Sequence, residues 1–217
     1  MYRIPGAIGE EPTKKPAILL MHAQDADMKE WIINESDKAI AFILVRAGFD
    51  VWLGNNRGSS YGLAHTSLDR TQKEFWNFYQ EEMGLIDSPA FIDYIIEATG
   101  LEKIAYVGHS EGTTQFFLGA SLNPDYYREK INLNVALAPC ISTVNMGKNW
   151  STEHMRLLEL IVVDTLKYYN WFSPMPVLQH LVGTFCDILP SACPFLKDAG
   201  LNNMSRFDVF LSSFPSG

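Results

Sequence analysis

An α/β fold, a mostly parallel sheet flanked by helices, is the class this sequence predicts. Three observations carry that expectation. Short continuous apolar runs read as strands buried on both faces. Longer amphipathic stretches separate them, as crossover helices do. Glycine, proline and asparagine cluster at the junctions. At 217 residues the chain is long enough for one sizeable core, or one core plus a small accessory subdomain. Hydrophobic residues make up 47% and charged residues 19%, a globular rather than a disordered composition.

Taken in order, residues 17–21 (Ala-Ile-Leu-Leu-Met) form the first uninterrupted apolar run and the first expected strand. Residues 36–47 read as a helix ended by Gly48, and Asp50-Val51-Trp52-Leu53 as a second strand. That strand leads into Gly54-Asn55-Asn56-Arg57-Gly58, a loop of residues that tolerate unusual φ. Residues 75–82 are expected to be helical. The next helix has Asp87 or Ser88 as its cap, Pro89 in its first turn and Gly100 at its end. Residues 104–107 give a third strand, 112–121 the helix behind it, and 135–138 a fourth strand closed by Pro139.

The texture changes near Asn145. From there to Pro194 helical pieces occur without a convincing buried strand, the longest at 156–171 with Leu157, Leu160, Ile161 and Leu166 near one face. Trp171, Phe172, Pro174, Met175 and Pro176 add aromatic, sulfur and proline character. The segment 146–200 reads as an inserted helical cap over a core at 1–145, with further core helices as the plainer alternative; residues 201–217 would return toward the core.

Net charge is −8 and the isoelectric point about 5.1, which argues against a nucleic-acid partner. No apolar run reaches the ~18 residues of a transmembrane segment, and the first residues lack the apolar block of a signal peptide. Cys140, Cys186 and Cys193 are too few for a disulfide scaffold, and their spacing does not resemble a zinc site. Cys186 and Cys193 can form one bridge, with buried thiols as the alternative. No metal or organic cofactor is expected.

Chemistry is concentrated at Gly108-His109-Ser110-Glu111-Gly112, a G-x-S-x-G pattern that directly follows an apolar strand and directly opens a helix. In that context the serine is held in strained backbone geometry with its hydroxyl turned outward, ready to act as a nucleophile. The N–H of the following residue faces the place where an oxyanion would form, and the helix N-terminus adds favourable partial charge. A simple helix cap is the bland reading of Ser110. The second oxyanion donor is expected from the loop after the first strand, Met21-His22-Ala23-Gln24-Asp25, which brings an acidic residue with it.

Several blocks now resemble one family, the acid lipases of the gastric and lysosomal type. Residues 47–58, AGFDVWLGNNRG, are close to that family's AGYDVWLGNxRG. Leu19-Leu20-Met21-His22 resembles its strand and His-Gly loop. Phe75-Trp76-Asn77-Phe78, Glu82-Met83 and Asp87-Ser88-Pro89-Ala90 resemble FWxF, EM and DxPA. Tyr106 to Thr114 resembles YVGHSQGTT, residues 136–139 the ALAP strand end, and residues 203–209 the NxSRxDVY block. The resemblance implies an α/β-hydrolase fold with a helical cap, and hydrolysis of triglycerides or sterol esters at a lipid–water interface without a cofactor. Carried across, Ser110 is the nucleophile, and the backbone N–H groups of Glu111 and Gln24 form the oxyanion hole. The chain departs from the family in having Glu111 for Gln and His22-Ala23-Gln24-Asp25 for His-Gly-Leu-Leu.

In this fold the triad acid and base follow the serine on late strands. After Ser110, Asp164 or an earlier Asp followed by His180 offers that order; Asp164 and His180 fall in the expected cap and are taken as ordinary cap residues. The acid and base are expected beyond Gly217, leaving this chain with a truncated sheet and little or no activity as written. His22 and His109 read as architectural; His65 and His154 have no evident role. A non-catalytic lipid-binding remnant, or another serine esterase or peptidase on the same fold, are the alternatives. Sequons at Asn34, Asn149 and Asn203 suit the secreted or lysosomal setting the resemblance implies.

Overall fold

The computed structural model describes residues 1–10, 14–24 and 26–142. These form a five-stranded sheet in the order β1-β3-β2-β4-β5. The strands are β1 (Tyr2–Ile4), β2 (Ala17–Met21), β3 (Asp50–Leu53), β4 (Ile104–His109) and β5 (Ile131–Leu137). β2 pairs in parallel with β3 and β4, and β4 in parallel with β5; β1 alone is antiparallel, on β3. All five residues of β2 and all four of β3 are buried; β2 is apolar throughout and β3 is apolar after Asp50, as strands inside a covered parallel sheet should largely be.

The alternation of side chains across each strand sorts the core into two layers. Leu19, Met21, Trp52, Ile104 and Tyr106 face one side, with Ile92, Ile95, Phe116 and Tyr127. Those partners come from α3 (Ser88–Thr99), α4 (Glu111–Leu122) and α5 (Pro124–Lys130). Ile18, Leu20, Val51, Leu53, Ala105 and Val107 face the other side, against Trp31 and against Ala41 and Val45 of α1 (Ile40–Arg46). Each fully covered side chain of this kind stabilises the fold by about 1.5–3 kcal/mol.

The expected elements at 17–21, 50–53, 104–107 and 112–121 match β2, β3, β4 and α4 within two residues at each end. Four others differ. The helix expected over 36–47 begins only at Ile40, because the Lys38 and Ala39 N–H groups close turns onto the Glu35 carbonyl. It ends where expected, at Gly48, whose φ is +92°.

The single helix expected over 75–82 is interrupted. A 3-10 turn spans Lys73–Trp76, held by Trp76 Nε1 donating to the Arg70 carbonyl at 2.7 Å. Helical structure resumes at α2 (Gln80–Glu82), where Glu82 accepts the Tyr79 N–H at 2.8 Å, and continues through a π-helical turn, Met83–Asp87, into α3. Asp87 is therefore inside helical structure (φ −69°, ψ −50°) and makes no capping bond; its carboxylate instead pairs with Arg57. Pro89 explains the wide turn: with no N–H, it leaves a carbonyl of the preceding turn open. Tyr127 donates its hydroxyl to the Gly84 carbonyl at 2.6 Å.

The fourth strand starts earlier than expected, at Ile131. Its first half, Ile-Asn-Leu-Asn, is half-exposed at the sheet edge and so lacks the apolar signature of the inner strands. β1 and α5 carried no expectation. β1 has three residues, and Arg3 is fixed by a two-pronged ion pair to Asp50 at 2.8–2.9 Å. Among the described residues no helix is long and apolar enough to cross a membrane. The cap expected at 146–200 and the return at 201–217 lie outside the described residues, as do Asp164, His180, His154, Cys186, Cys193, Asn149 and Asn203.

Candidate active site

Ser110 sits at the bend between β4 and α4. Its φ of 49° and ψ of −108° fall in a region that side-chain-bearing residues rarely adopt, at a cost of about 1–3 kcal/mol. Hydrogen bonds hold the bend on both sides. The Ser110 N–H donates to the Leu137 carbonyl at the end of β5 (3.0 Å), and the Ser110 carbonyl accepts from Thr113 Oγ1 (2.6 Å). Thr113 Oγ1 in turn accepts the Cys140 N–H (3.0 Å), and Thr114 Oγ1 donates to the Cys140 carbonyl (2.8 Å). The elbow is thereby stitched to the chain that leaves β5.

The flanking glycines are required by space. A methyl group on Gly108 would stand 2.5 Å from the Gly112 carbonyl, and one on Gly112 would stand 2.5 Å from the Met21 carbonyl oxygen. The first turn of α4 therefore lies directly against β4 and against the exit of β2. Beneath it, Tyr106 donates to the Gly112 carbonyl (2.9 Å) and accepts from Gln115 Nε2 (2.9 Å), with all three groups buried. Burial pushes the Tyr106 phenol well above its ordinary range, so it remains a neutral donor.

Glu111 is the first residue of α4, which puts its backbone N–H in the helix's opening turn, and its carboxylate accepts from Gln80 Nε2 at 3.2 Å. The Glu111 side chain is thus engaged with α2. Gln24 is exposed on the loop that leaves β2. Met21 pairs with Gly108 in the sheet, so this loop exits beside the elbow.

The loop after β2 is rigidly held. His22 is 3% exposed. The Asn56 N–H donates to His22 Nε2 (3.1 Å), so Nε2 is an acceptor and the ring proton belongs on Nδ1, which donates to the Ala23 carbonyl (2.8 Å). Burial lowers the pKa of His22 and keeps the ring neutral. The Ala23 carbonyl and the Gln24 N–H belong to one planar peptide group, so the imidazole also fixes the direction of the Gln24 N–H. Asn55 Oδ1 accepts the Met28 N–H (3.0 Å), tying the same loop to the exit of β3.

His109 lies beside the serine and pairs through Nδ1 with the Glu30 carboxylate, which raises its pKa. Neither His22 nor His109 bonds to Ser110 Oγ; its recorded neighbour is Cys140 Sγ at 3.8 Å. Among the described residues Cys140 has no disulfide partner, and its thiol is exposed. His65 accepts the N–H groups of Ser67 and Leu68 and caps its own loop. Asn34 is exposed. Among the described residues no cluster of three or more His, Cys, Asp or Glu is arranged to hold a metal.

Sequence reasoning missed Glu30; it treated Arg57 as part of a motif block and Asp87 as part of another and as a helix-cap candidate, not as partners. Arg57 Nε donates to Asp87 Oδ2 at 2.8 Å and Nη2 to Oδ1 at 2.5 Å, joining the loop after β3 to the start of α3. No local pattern signals this pair, because its members are 30 residues apart.

Comparison with known proteins identifies the fold family. The alpha/beta hydrolase fold family matches residues 16–162. Human lipase member K is 36% identical over the whole chain, which covers 56% of that protein. The lysosomal acid lipase/cholesteryl ester hydrolase of Macaca fascicularis is 36% identical over 94% of the chain and 52% of its own length. Mouse gastric triacylglycerol lipase is 37% identical over the whole chain and 57% of its own length. The chain thus spans about half the length of the curated relatives it matches. By its family match, with the serine bend on its central sheet, the chain belongs to the alpha/beta hydrolase fold family and is similar to its gastric and lysosomal acid lipases.

Proposed function

We propose that this chain carries Ser110, the nucleophile of an enzyme that hydrolyses carboxylic esters of lipids, triglycerides or sterol esters. The observation that carries the reading is the strained conformation of Ser110 at the strand-to-helix bend, φ 49° and ψ −108°, a cost that a merely structural serine would not require.

In this mechanism Ser110 Oγ adds to the ester carbonyl carbon while its proton passes to a general base. The carbonyl oxygen becomes an oxyanion between the backbone N–H groups of Glu111 and Gln24. The tetrahedral intermediate collapses, the alcohol leaves with a proton, and water then hydrolyses the acyl-enzyme. Each oxyanion donor contributes about 10²–10³ in rate. None of the described histidines bonds to Ser110, so the base belongs to residues outside the described set. Residues 1–145 would form the catalytic core, 146–200 the cap, and 201–217 the return to the core. The names of the relatives, a lysosomal and a gastric lipase, support a lysosomal or secreted setting; an insoluble lipid ester would be met at a lipid–water interface, and the exposure of Asn34 suits N-glycosylation there.

The test is hydrolysis of emulsified triolein and cholesteryl oleate by the product of the complete transcript, beside Ser110→Ala. Activity that disappears in the variant supports the reading. Equal turnover in both, or none in the unmodified protein, refutes it; binding of the same lipids without turnover would instead indicate a lipid-binding protein.

A further inference from the structure

We propose that Glu30 is a positioning residue for ester hydrolysis, clamping the oxyanion loop after β2 to the residue that precedes the nucleophile. The proposal rests on the hydrolase reading above and adds to it a residue outside the G-x-S-x-G elbow and the His22 loop.

Glu30 lies on a 3-10 turn, Met28–Trp31, whose apolar residues Met28 and Trp31 are buried in the core. The turn is therefore anchored, and the carboxylate is delivered from a fixed base. One oxygen, Oε2, accepts the Ala23 N–H at 2.8 Å; the other, Oε1, pairs with His109 Nδ1. A single side chain thus spans from the loop carrying the Gln24 N–H to the end of β4, next to Ser110.

The geometry is complementary to that of His22. His22 Nδ1 holds the Ala23 carbonyl and Glu30 holds the Ala23 N–H, so the peptide groups on both sides of Ala23 are fixed. With a trans, planar peptide, the Gln24 N–H then has one direction available. Donors aimed in advance at a developing charge cost no reorganisation when the reaction occurs. Alanine at position 23 adds no side chain that could tether the loop, so the clamp comes from elsewhere in the chain.

Among the described residues, the charged and titratable groups around the pair include His22 on the loop after β2, and Asp27 and Lys29 at Glu30's own turn; Lys29 Nζ lies 3.4 Å from Asp27 Oδ2. Pairing with Glu30 keeps His109 protonated to a higher pH than an ordinary histidine. A protonated, charged His109 donates to Glu30. On the alkaline side a neutral His109 with its proton on Nδ1 still donates to the carboxylate.

Two variants of the complete gene product test this, read by amide hydrogen exchange at Ala23, by NMR titration of His109, and by kcat, KM and the rate of fluorophosphonate labelling at Ser110. Glu30→Ala removes both contacts. Ala23 exchange is expected to accelerate about tenfold or more, and kcat and labelling to fall about tenfold with KM unchanged. Glu30→Gln keeps the size. Its amide oxygen can accept the Ala23 N–H while its NH2 donates to neutral His109. Near-normal rates are expected above about pH 6.5, with a loss below it that the unmodified protein does not show.

Labelling and kcat that stay unchanged in Glu30→Ala overturn the proposal, as do pH profiles of Glu30→Gln and the unmodified protein that coincide. An unmodified protein that Ser110-directed probes never label refutes the hydrolase reading, and the positioning role with it, even where Ala23 exchange responds to the substitution. The two failures are therefore distinguishable.

Discussion

Gly112→Ala perturbs the elbow where it meets the exit of β2. The new methyl carbon would lie 2.5 Å from the Met21 carbonyl oxygen and 3.0 Å from that of His22, both backbone atoms. Met21 is fixed in the sheet by its pairing with Gly108, so it cannot withdraw cheaply. Reaching ordinary contact, about 3.4 Å, requires the first turn of α4 to move away from β2 by about 0.9 Å. Overpacking of this kind costs about 1–3 kcal/mol of stability. The functional effect should be larger than the stability effect, because the displaced turn carries the Ser110 hydroxyl and the Glu111 N–H while the Gln24 N–H stays behind. A misplacement near 1 Å can cost about 10²-fold in rate. Thermal unfolding and the rate of fluorophosphonate labelling on the same preparation measure the two effects. A variant that keeps both its melting temperature and its labelling rate would refute the argument, since the methyl group would then fit where the backbone leaves no room.

Ser110→Gly relieves the positive φ and should raise stability by about 1 kcal/mol, a rise in Tm of a few degrees for a chain of this size, while abolishing ester turnover; calorimetry beside an esterase assay checks both. Thr113→Val keeps the shape but removes the hydroxyl that donates to the Ser110 carbonyl and accepts the Cys140 N–H; a loss of about 1–3 kcal/mol in denaturant unfolding is expected. The two site histidines should titrate on opposite sides of about pH 6.5 when followed by NMR. For His22 the folded pKa is lowered, so the unfolded chain binds more protons and stability falls as pH drops below that value, by up to about 1.4 kcal/mol per unit. For His109 the folded pKa is raised, so its stabilising contribution is fully present below the unfolded value and is lost as pH rises through the folded one.

The inner part of the fold was legible in the sequence because burial there is two-sided. Strands covered on both faces are largely apolar, and 17–21, 51–53 and 104–107 carry that composition, with the buried Asp50 at the start of β3 compensated by Arg3. The elbow was legible for a different reason: Gly108 and Gly112 are dictated by backbone contacts, and a serine between them at a strand-to-helix junction leaves few alternatives. The edges were less legible. Half-exposed β5 and the three residues of β1 carry mixed polarity, and α5 is a short helix whose apolar anchor is Tyr127. The interruption before α2 depends on the buried Phe75 and Trp76 rings and on a tryptophan bond to the Arg70 carbonyl, which helical periodicity does not encode.

At the site, residues acting through the backbone or within one motif were readable, whereas those acting across distance were not. Glu30 and His109 are 79 residues apart, and nothing in Lys29-Glu30-Trp31 marks the carboxylate as a partner of the elbow. His22 was read as architectural; its two ring nitrogens each hold a backbone group, one from each of two loops, which gives that role its physical content.

Peptide mapping by mass spectrometry after treatment with a fluorophosphonate tests the central claim most directly. The account predicts one phosphonylated residue, Ser110, formed at a rate that falls when the protein is unfolded. An adduct on another residue, or an unmodified Ser110 in folded protein under conditions that label a known serine esterase, would contradict it.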